Sequence, residues 1–421
     1  MSFNAAISGI KASTADLNII GNNVANSSTT GFKSSRGQFA DVYAATSLGT
    51  SENSIGAGVR LAQVSQEFGQ GTVTFTDNAL DLAINGSGFF VLSDNGSNVY
   101  TRAGSFALDQ DGYVVNSEGL RLMAHQADTA GVITGAVDEL RILTSLQQPS
   151  ATAKVDMAVN LDSRQTPPAV PWGGPYDAFA VPPTSPSTDM YNSTTSLTIY
   201  DTLGNAHLMS NYFVKTATAN QWDVYTLIDG VSVSGPDTVT FNTSGQFDTA
   251  SLPVEVSIAG WTPLDASGNP NGAAVQGFIN DLSSSTQFGV NFGVLSLNQD
   301  GFTTGQLGGL NVSDNGTVFA LFTNGQSRAL GRVVVANFAN AQGLQPIGDT
   351  SWVETFNSGP PLLGEPGTSG LGILQSGALE DSNVDLTEQL VNMIVAQRNF
   401  QANAQVIQTE DAITQTVINL R

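Results

Sequence analysis

A chain of 421 residues, 40% of them hydrophobic, is too long for one ordinary core and is expected to divide into about two to four domains. Its 14 basic and 36 acidic residues give a net charge of −22, which leaves no basic stripe for nucleic acid or an anionic membrane and is read as a solubility feature. It has no cysteine, so disulfides, thiol nucleophiles and thiolate metal sites are excluded.

The chain opens on Met1 to Lys11, which lacks a basic lead-in and whose apolar residues are interrupted by Asn4 and Ser8. It is not read as a Sec leader. The expectation is a chain that stays in the cytoplasm or leaves by a route that keeps its N-terminus. No run approaches the roughly 18 apolar residues of a membrane span, so no membrane insertion is expected. Phe3, Ile10, Leu17 and Val24 recur every seven residues, with Ala6, Ile7 and Ile20 between them. That is a heptad-like stripe on one helix face. Gly21-Asn22-Asn23 weakens the helix near its end, and Asn26 to Gly31 reads as a polar loop.

The middle reads as strands. Gly88 to Leu92, Ser196 to Tyr200 and Trp222 to Ile228 are strand-like runs bounded by turn residues. Asp94-Asn95-Gly96, Asp111-Gly112, Leu203-Gly204-Asn205 and Thr323-Asn324-Gly325 are turn or hairpin signals. Seven prolines between Pro167 and Pro186 forbid a regular element there, so a surface excursion is expected. At the other end Leu386, Met393, Phe400 and Ile407 are again seven apart, with Leu390, Ala404 and Ile418 on the adjoining row. Asp385 and Glu388 form a capping-box pattern before this run. A helix from Leu386 to near Leu420 would be about 50 Å long. Gln397 and Asp411 interrupt its seam.

An apolar stripe cannot be buried by a lone helix. The two ends are natural partners, and neighbouring copies are the next candidates, since an unclosed head-to-tail contact makes a filament. On periodicity alone an intramolecular helical hairpin capping a β protein is the better reading.

The segment Leu17 to Asn26, followed by Thr30-Gly31-Phe32-Lys33, resembles the N-terminal signature of bacterial flagellar rod and hook proteins. Gly377 to Asn403 resembles the matching C-terminal signature. Gly86 to Phe90, Tyr200-Asp201 with Gly204 to His207, Tyr212 to Thr216 and Val334 to Phe338 are similar to segments of the hook branch of that family. The Pro-rich stretch 167–186 departs from the hook pattern. The resemblance implies an α+β multidomain fold, with long terminal helices forming a coiled-coil-like core domain around nested, mainly antiparallel β domains. It implies a core domain of residues 1–24 with 384–421, a connecting region of 25–70 with 359–383, a middle β domain of 71–145 with 300–358, and an outer β domain of 146–299. The polymerisation stripe is then Phe3, Ile10, Leu17, Val24, Leu386, Leu390, Met393, Phe400, Ile407 and Ile418. The family signature residues are Asn22, Asn23, Ala25, Asn26, Gly31, Phe32, Lys33, Gln397 and Arg398. The implied function is a subunit of a curved hollow tube that couples motor rod to filament. Its implied partners are copies of itself, the distal rod, hook-filament junction and hook cap proteins, and the flagellar type III export apparatus. Its implied place is the extracellular hook on the basal body. Bending of a rotating tube favours apolar, persistent inner contacts and polar, wet outer ones.

No catalytic, cofactor-binding or metal-ligating residue is assigned. His125 and His207 lack a nucleophile-elbow motif and are read as ordinary loop or strand residues. Asp109-Gln110-Asp111-Gly112 lacks the third acidic position and distal Glu of a calcium loop and reads as a tight turn. Gly86-Ser87-Gly88 has no Lys-Ser/Thr after it, so it is not a phosphate loop. The alternative to a tube subunit is a secreted β-rich binding module, or adhesin, with a helical stalk.

Overall fold

The computed structural model describes residues 2–42, 56–128, 130–142, 145–248, 255–368 and 370–419. The chain divides into two compact units. One is Met1–Thr144 with Gly308–Leu321 and Ser327–Arg421; the other is Ser145–Leu307 with Phe322–Gln326.

In the first unit most of the strands belong to one central sheet. Its main path runs through strands Leu307–Val312, Thr317–Phe322, Ser327–Val333, Arg121–Ala127, Phe89–Asp94, Ser97–Thr101, Ser351–Val353 and Gln345–Gly348. Phe89–Asp94 is buried over its first five residues, as a continuous apolar run in mid-sheet should be. It turns back at Asn95-Gly96, with Asp94 opposite Ser97 and positive φ at both turn residues, 49° and 96°. That is the two-residue hairpin this dipeptide favours. The core beneath is aromatic: Phe89, Tyr100, Phe338 and Trp352 are buried together. Phe89 meets Trp352, and Tyr100 meets Phe338, edge to face at 5.7 and 4.8 Å between ring centroids.

Two α-helices, the only ones among the described residues, belong to this unit: α1 (Ser2–Ala25) and α2 (Leu386–Asn419). Asp385 caps α2, its Oδ1 accepting from the backbone N–H of Thr387 at 2.8 Å and Glu388 at 3.1 Å. The expected α+β class with a coiled-coil-like core domain is corrected here. The fold is mainly β, α2 is the longer of the two helices, and no coiled-coil core is shown among the described residues. The buried apolar residues on the helices are small or off the stripe: Ala6 and Ile20 on α1, Ala396 on α2. Close approach occurs at Gly9, where an added Cβ would lie 2.6 Å from Asn403 Oδ1. A seven-residue spacing faces one partner along its whole length only in supercoiled helices. Here the stripe residues Phe3, Leu386, Leu390 and Phe400 stay exposed. On its other side α1 rests on the antiparallel hairpin Ser35–Val42 and Gly58–Gln66, where Ser8 Oγ accepts from Val59 N at 3.0 Å.

The second unit contains two four-stranded sheets. One is antiparallel: Ser193–Tyr200, Ala206–Lys215, Gln221–Ile228 and Val231–Thr240. The other is mixed, in the order Glu255–Trp261, Gln276–Asp281, Lys154–Asn160, Gly293–Gln299. Both contribute to one core, which includes Met157, Val159, Phe213, Trp222, Val224, Ile258 and Phe278. This is a β-sandwich. Alternation sets the faces: His207, Met209, Asn211, Phe213 and Lys215 point inward from one strand. Several polar groups on the inner face are paired, with Thr226 Oγ1 donating to Asn211 Oδ1 at 2.7 Å and Trp222 Nε1 to Gln287 Oε1 at 3.0 Å, whereas the buried side-chain amide of Asn280 has no hydrogen-bond partner among the described residues. The Pro-rich segment 167–186 forms no helix or strand. Its Trp172 stacks on Tyr225 at 4.3 Å and contacts Tyr212, so it covers the outer face of the antiparallel sheet.

His207 has a more specific environment than an ordinary strand residue. Its Nδ1 lies 2.6 Å from Asp229 Oδ2 and its Nε2 3.3 Å from Asp201 Oδ2, and it is 4% exposed. Burial disfavours the imidazolium, but the Asp229 and Asp201 carboxylates outweigh it and raise the pKa. Asp201 is held below the usual carboxylate range: burial opposes this, and hydrogen bonds from Asn205, Asn271 and His207 prevail. A raised His pKa contributes stability fully below about 6.5, lost as pH rises through the folded value; a lowered Asp pKa contributes above about 3.9. The thermal midpoint of this unit should therefore be highest between about pH 4 and 6.5 and fall at higher pH. In His207→Gln the alkaline fall should shrink. An equal fall in the variant would contradict the assignment.

Candidate assembly surface

α2 presents apolar side chains to water. Leu390, Ile394, Val395 and Ile413 are each about half exposed, and Ile418 is 67% exposed. On α1, Phe3 is 48% exposed, while Ile10, Leu17 and Val24 are partly buried. Met393 and Ile407 are also partly buried. The ten stripe residues are thus split between the helix pair and solvent. Gln397 and Arg398 are both exposed on α2.

The N-terminal signature residues meet Glu380, Asn383 and Gln389 of the C-terminal signature segment at a junction at the base of the helices. Asn26 Nδ2 donates to Asn22 O at 2.9 Å, closing the end of α1, where Ala25 is exposed. Asn23 is 1% exposed and pairs with Ser35 twice: Oδ1 accepts from Ser35 N at 2.9 Å, and Nδ2 donates to Ser35 O at 2.8 Å. Nδ2 also reaches Gln389 Oε1 of α2 at 3.3 Å. Gly31 has φ +69°, donates to Glu380 O at 2.7 Å, and lies so close to Ala103 N that a Cβ would approach it to 2.4 Å. Only glycine fits both conditions. Phe32 is partly buried, and its carbonyl accepts from Asn383 N at 3.4 Å.

Lys33 is buried. Its Nζ donates to Glu380 Oε1 at 2.6 Å and Gly69 O at 2.7 Å. The other Glu380 oxygen takes Arg102 Nη1 at 3.0 Å, and Arg102 also donates to Ile84 O and Gly86 O. Gly71 N adds a bond to Glu380 Oε1 at 2.8 Å. Burial lowers the pKa of both Lys33 and Arg102, and Glu380 pulls each back up. One carboxylate therefore ties the segment after α1, the segment before α2 and the sheet together. Asn383 reinforces it, accepting from Ser34 N at 2.7 Å and donating to Glu67 O at 2.7 Å. Sequence reasoning singled out Lys33 but missed Arg102 and the role of Glu380. No local spacing marks partners 278 residues apart.

Two helix ends and a β body knotted together at such a junction correspond to a class of flagellar axial proteins. Residues 3–33 match the family described as flagella basal body rod protein, and residues 375–420 the flagellar basal body rod FlgEFG protein C-terminal family. Residues 83–159 match the flagellar hook protein FlgE/F/G D1 domain, and residues 160–302 the flagellar basal body protein FlaE D2 domain. Over its full length the chain is 40% identical to the flagellar hook protein FlgE of Escherichia coli K12, covering all of that protein. It is 39% identical to that of Salmonella typhimurium LT2 over the whole of both chains, and 32% to that of Borreliella burgdorferi over 99% of this chain and 98% of the other. The crystal structure of Helicobacter pylori flagellar hook protein FlgE2 shares the fold at a TM-score of 0.53 and 16% identity, over 73% of this chain and all of the other. The chain belongs to the flagellar hook protein FlgE family.

Proposed function

We propose that the chain assembles into a curved tube through apolar side chains of α1 and α2, and that this tube acts as a flexible joint carrying torque from rod to filament. As a member of the hook family the chain is a structural subunit of the flagellar hook, not an enzyme, and it self-polymerises at the basal body. The observation that carries the reading is the half-exposed apolar surface of α2 in a single subunit. Water penalises such surface at about 25 cal/mol per Å², so burial between copies is favoured. Under this proposal the ten stripe residues line the tube's inner contacts, residues 1–24 with 384–421 form its core, and 25–70 with 359–383 connect outward. Residues 71–145 with 300–358 make the middle domain and 146–299 the outer one, whose polar surface keeps outer contacts wet and compliant. Distal rod, junction and cap proteins would be its neighbours, and type III export its route to the extracellular hook. Electron microscopy of cell-surface preparations should find long curved tubes containing this chain. Discrete particles would favour a stalked binding module instead.

A further inference from the structure

We propose that Arg398 of one copy inserts into an acidic pocket at the base of the helices of the next copy, where it pairs with Asp16 and Glu388. The inference rests on the polymer reading above and gives the helix contact a charge pair and a direction. Arg398 is the one cation on α2, and it is exposed. Val391, Ile394, Val395 and Arg398 follow the i, i+3, i+4, i+7 spacing of a single helix face. The three apolar members are 55%, 50% and 49% exposed. Arg398 therefore sits within the surface that assembly buries. The positions one turn away, Ile394, Val395, Gln401 and Ala402, bring no carboxylate. Arg398 has no charge partner among the described residues. A guanidinium taken out of water without a counter-charge is strongly destabilising, so the neighbouring copy must present one.

A pocket of about 160 Å³ lies between α1, α2 and strand Ser35–Val42. Asp16, Glu67, Asp385 and Glu388 line it, against the single cation Arg36. Arg36 already reaches Glu67 at 3.6 Å, and Asp385 Oδ1 is engaged in capping α2. Asp16 and Glu388 have no cation partner among the described residues. Burial raises the pKa of Asp16, as expected of a carboxylate that has lost water and gained no counter-charge. Ile19 and Ile20 in the wall offer apolar surface to the methylenes of an arginine.

Geometry makes the occupant a second copy rather than the same chain. Arg398 lies six residues beyond Asn392, the last pocket residue on α2, which places it roughly 120° around the helix and about 9 Å along it. It is carried on a different face from its own pocket. In a chain of net charge −22, an acidic pocket repels most of a neighbour's surface and attracts the part that carries a cation. Lys11 and Arg60 are exposed too, on α1 and on strand Gly58–Gln66, but Arg398 is the one set in the apolar face of α2. Pocket and cation are different patches of one chain, so their pairing runs head to tail and repeats along an open array.

Cells producing only Arg398→Glu chains should make tubes at a yield reduced about a hundredfold. The purified variant should keep its circular dichroism spectrum and thermal midpoint, because the side chain is in water in the single subunit. Exchanging the charges, with Asp16→Lys and Glu388→Lys added to Arg398→Glu in the same chain, should bring the yield back to within about tenfold of the unaltered chain. The absence of cysteine allows a second measurement that leaves these charges in place. Tubes assembled from a mixture of Gln401→Cys and Asn392→Cys chains, treated with a short bis-maleimide, should give a cross-linked dimer of the two. An undiminished yield from Arg398→Glu, a folded charge-exchanged chain that makes no tubes, or tubes from the cysteine mixture without the mixed dimer would each overturn the contact. Absence of tubes from the unaltered chain would instead overturn the polymer reading.

Discussion

Replacing Glu380 with alanine should cost the first unit about 3–5 kcal/mol of stability, the largest loss expected from a single substitution at the junction. The side chain is fully buried, and it faces a buried Lys33 at 2.6 Å and a buried Arg102 at 3.0 Å. Its removal leaves two cations without a counter-charge where water does not reach them, and leaves Gly71 N without its acceptor. Most of the cost is the uncompensated charge rather than the lost attraction. Arg36 and Glu67 provide the contrast. They lie 3.6 Å apart with side chains 70% and 51% exposed, so Arg36→Ala should change stability by less than about 1 kcal/mol. Urea unfolding of the purified chain, followed through the first unit's transition, measures both. A loss below about 1 kcal/mol in Glu380→Ala would mean that the network does not hold the junction.

The parts legible in the sequence are those set by neighbours in sequence. Asp385 marks the start of α2 because a cap acts within three residues. Asn95-Gly96 marks its hairpin because both residues tolerate positive φ. The Pro-rich stretch is an excursion because its residues cannot hold ladder bonds. The coiled-coil expectation failed for a related reason. A seven-residue spacing reports which side chains share a face, but not whether a partner covers that face. In this subunit Gly9 approaches Asn403 at the helix contact and Ala6 and Ala396 are buried, while Leu390 and Phe400 remain exposed. The Lys33–Glu380–Arg102 network and the carboxylates around His207 were not legible. They depend on side chains brought together by the whole fold, and no spacing encodes that.

Phe400→Asp should abolish tube formation while leaving the monomer folded. The side chain is 38% exposed in the single subunit, so a carboxylate there keeps its water and costs little. In the tube the same carboxylate would be buried among apolar neighbours and repeated in every subunit, at several kcal/mol for each copy. Leu17→Asp should act in the same direction. Phe400→Leu preserves apolar character and should still assemble. The decisive measurement is electron microscopy of cells producing only the Phe400→Asp chain, beside circular dichroism of the purified variant. The account predicts a native spectrum and no tubes. Tubes of normal length and number would contradict it.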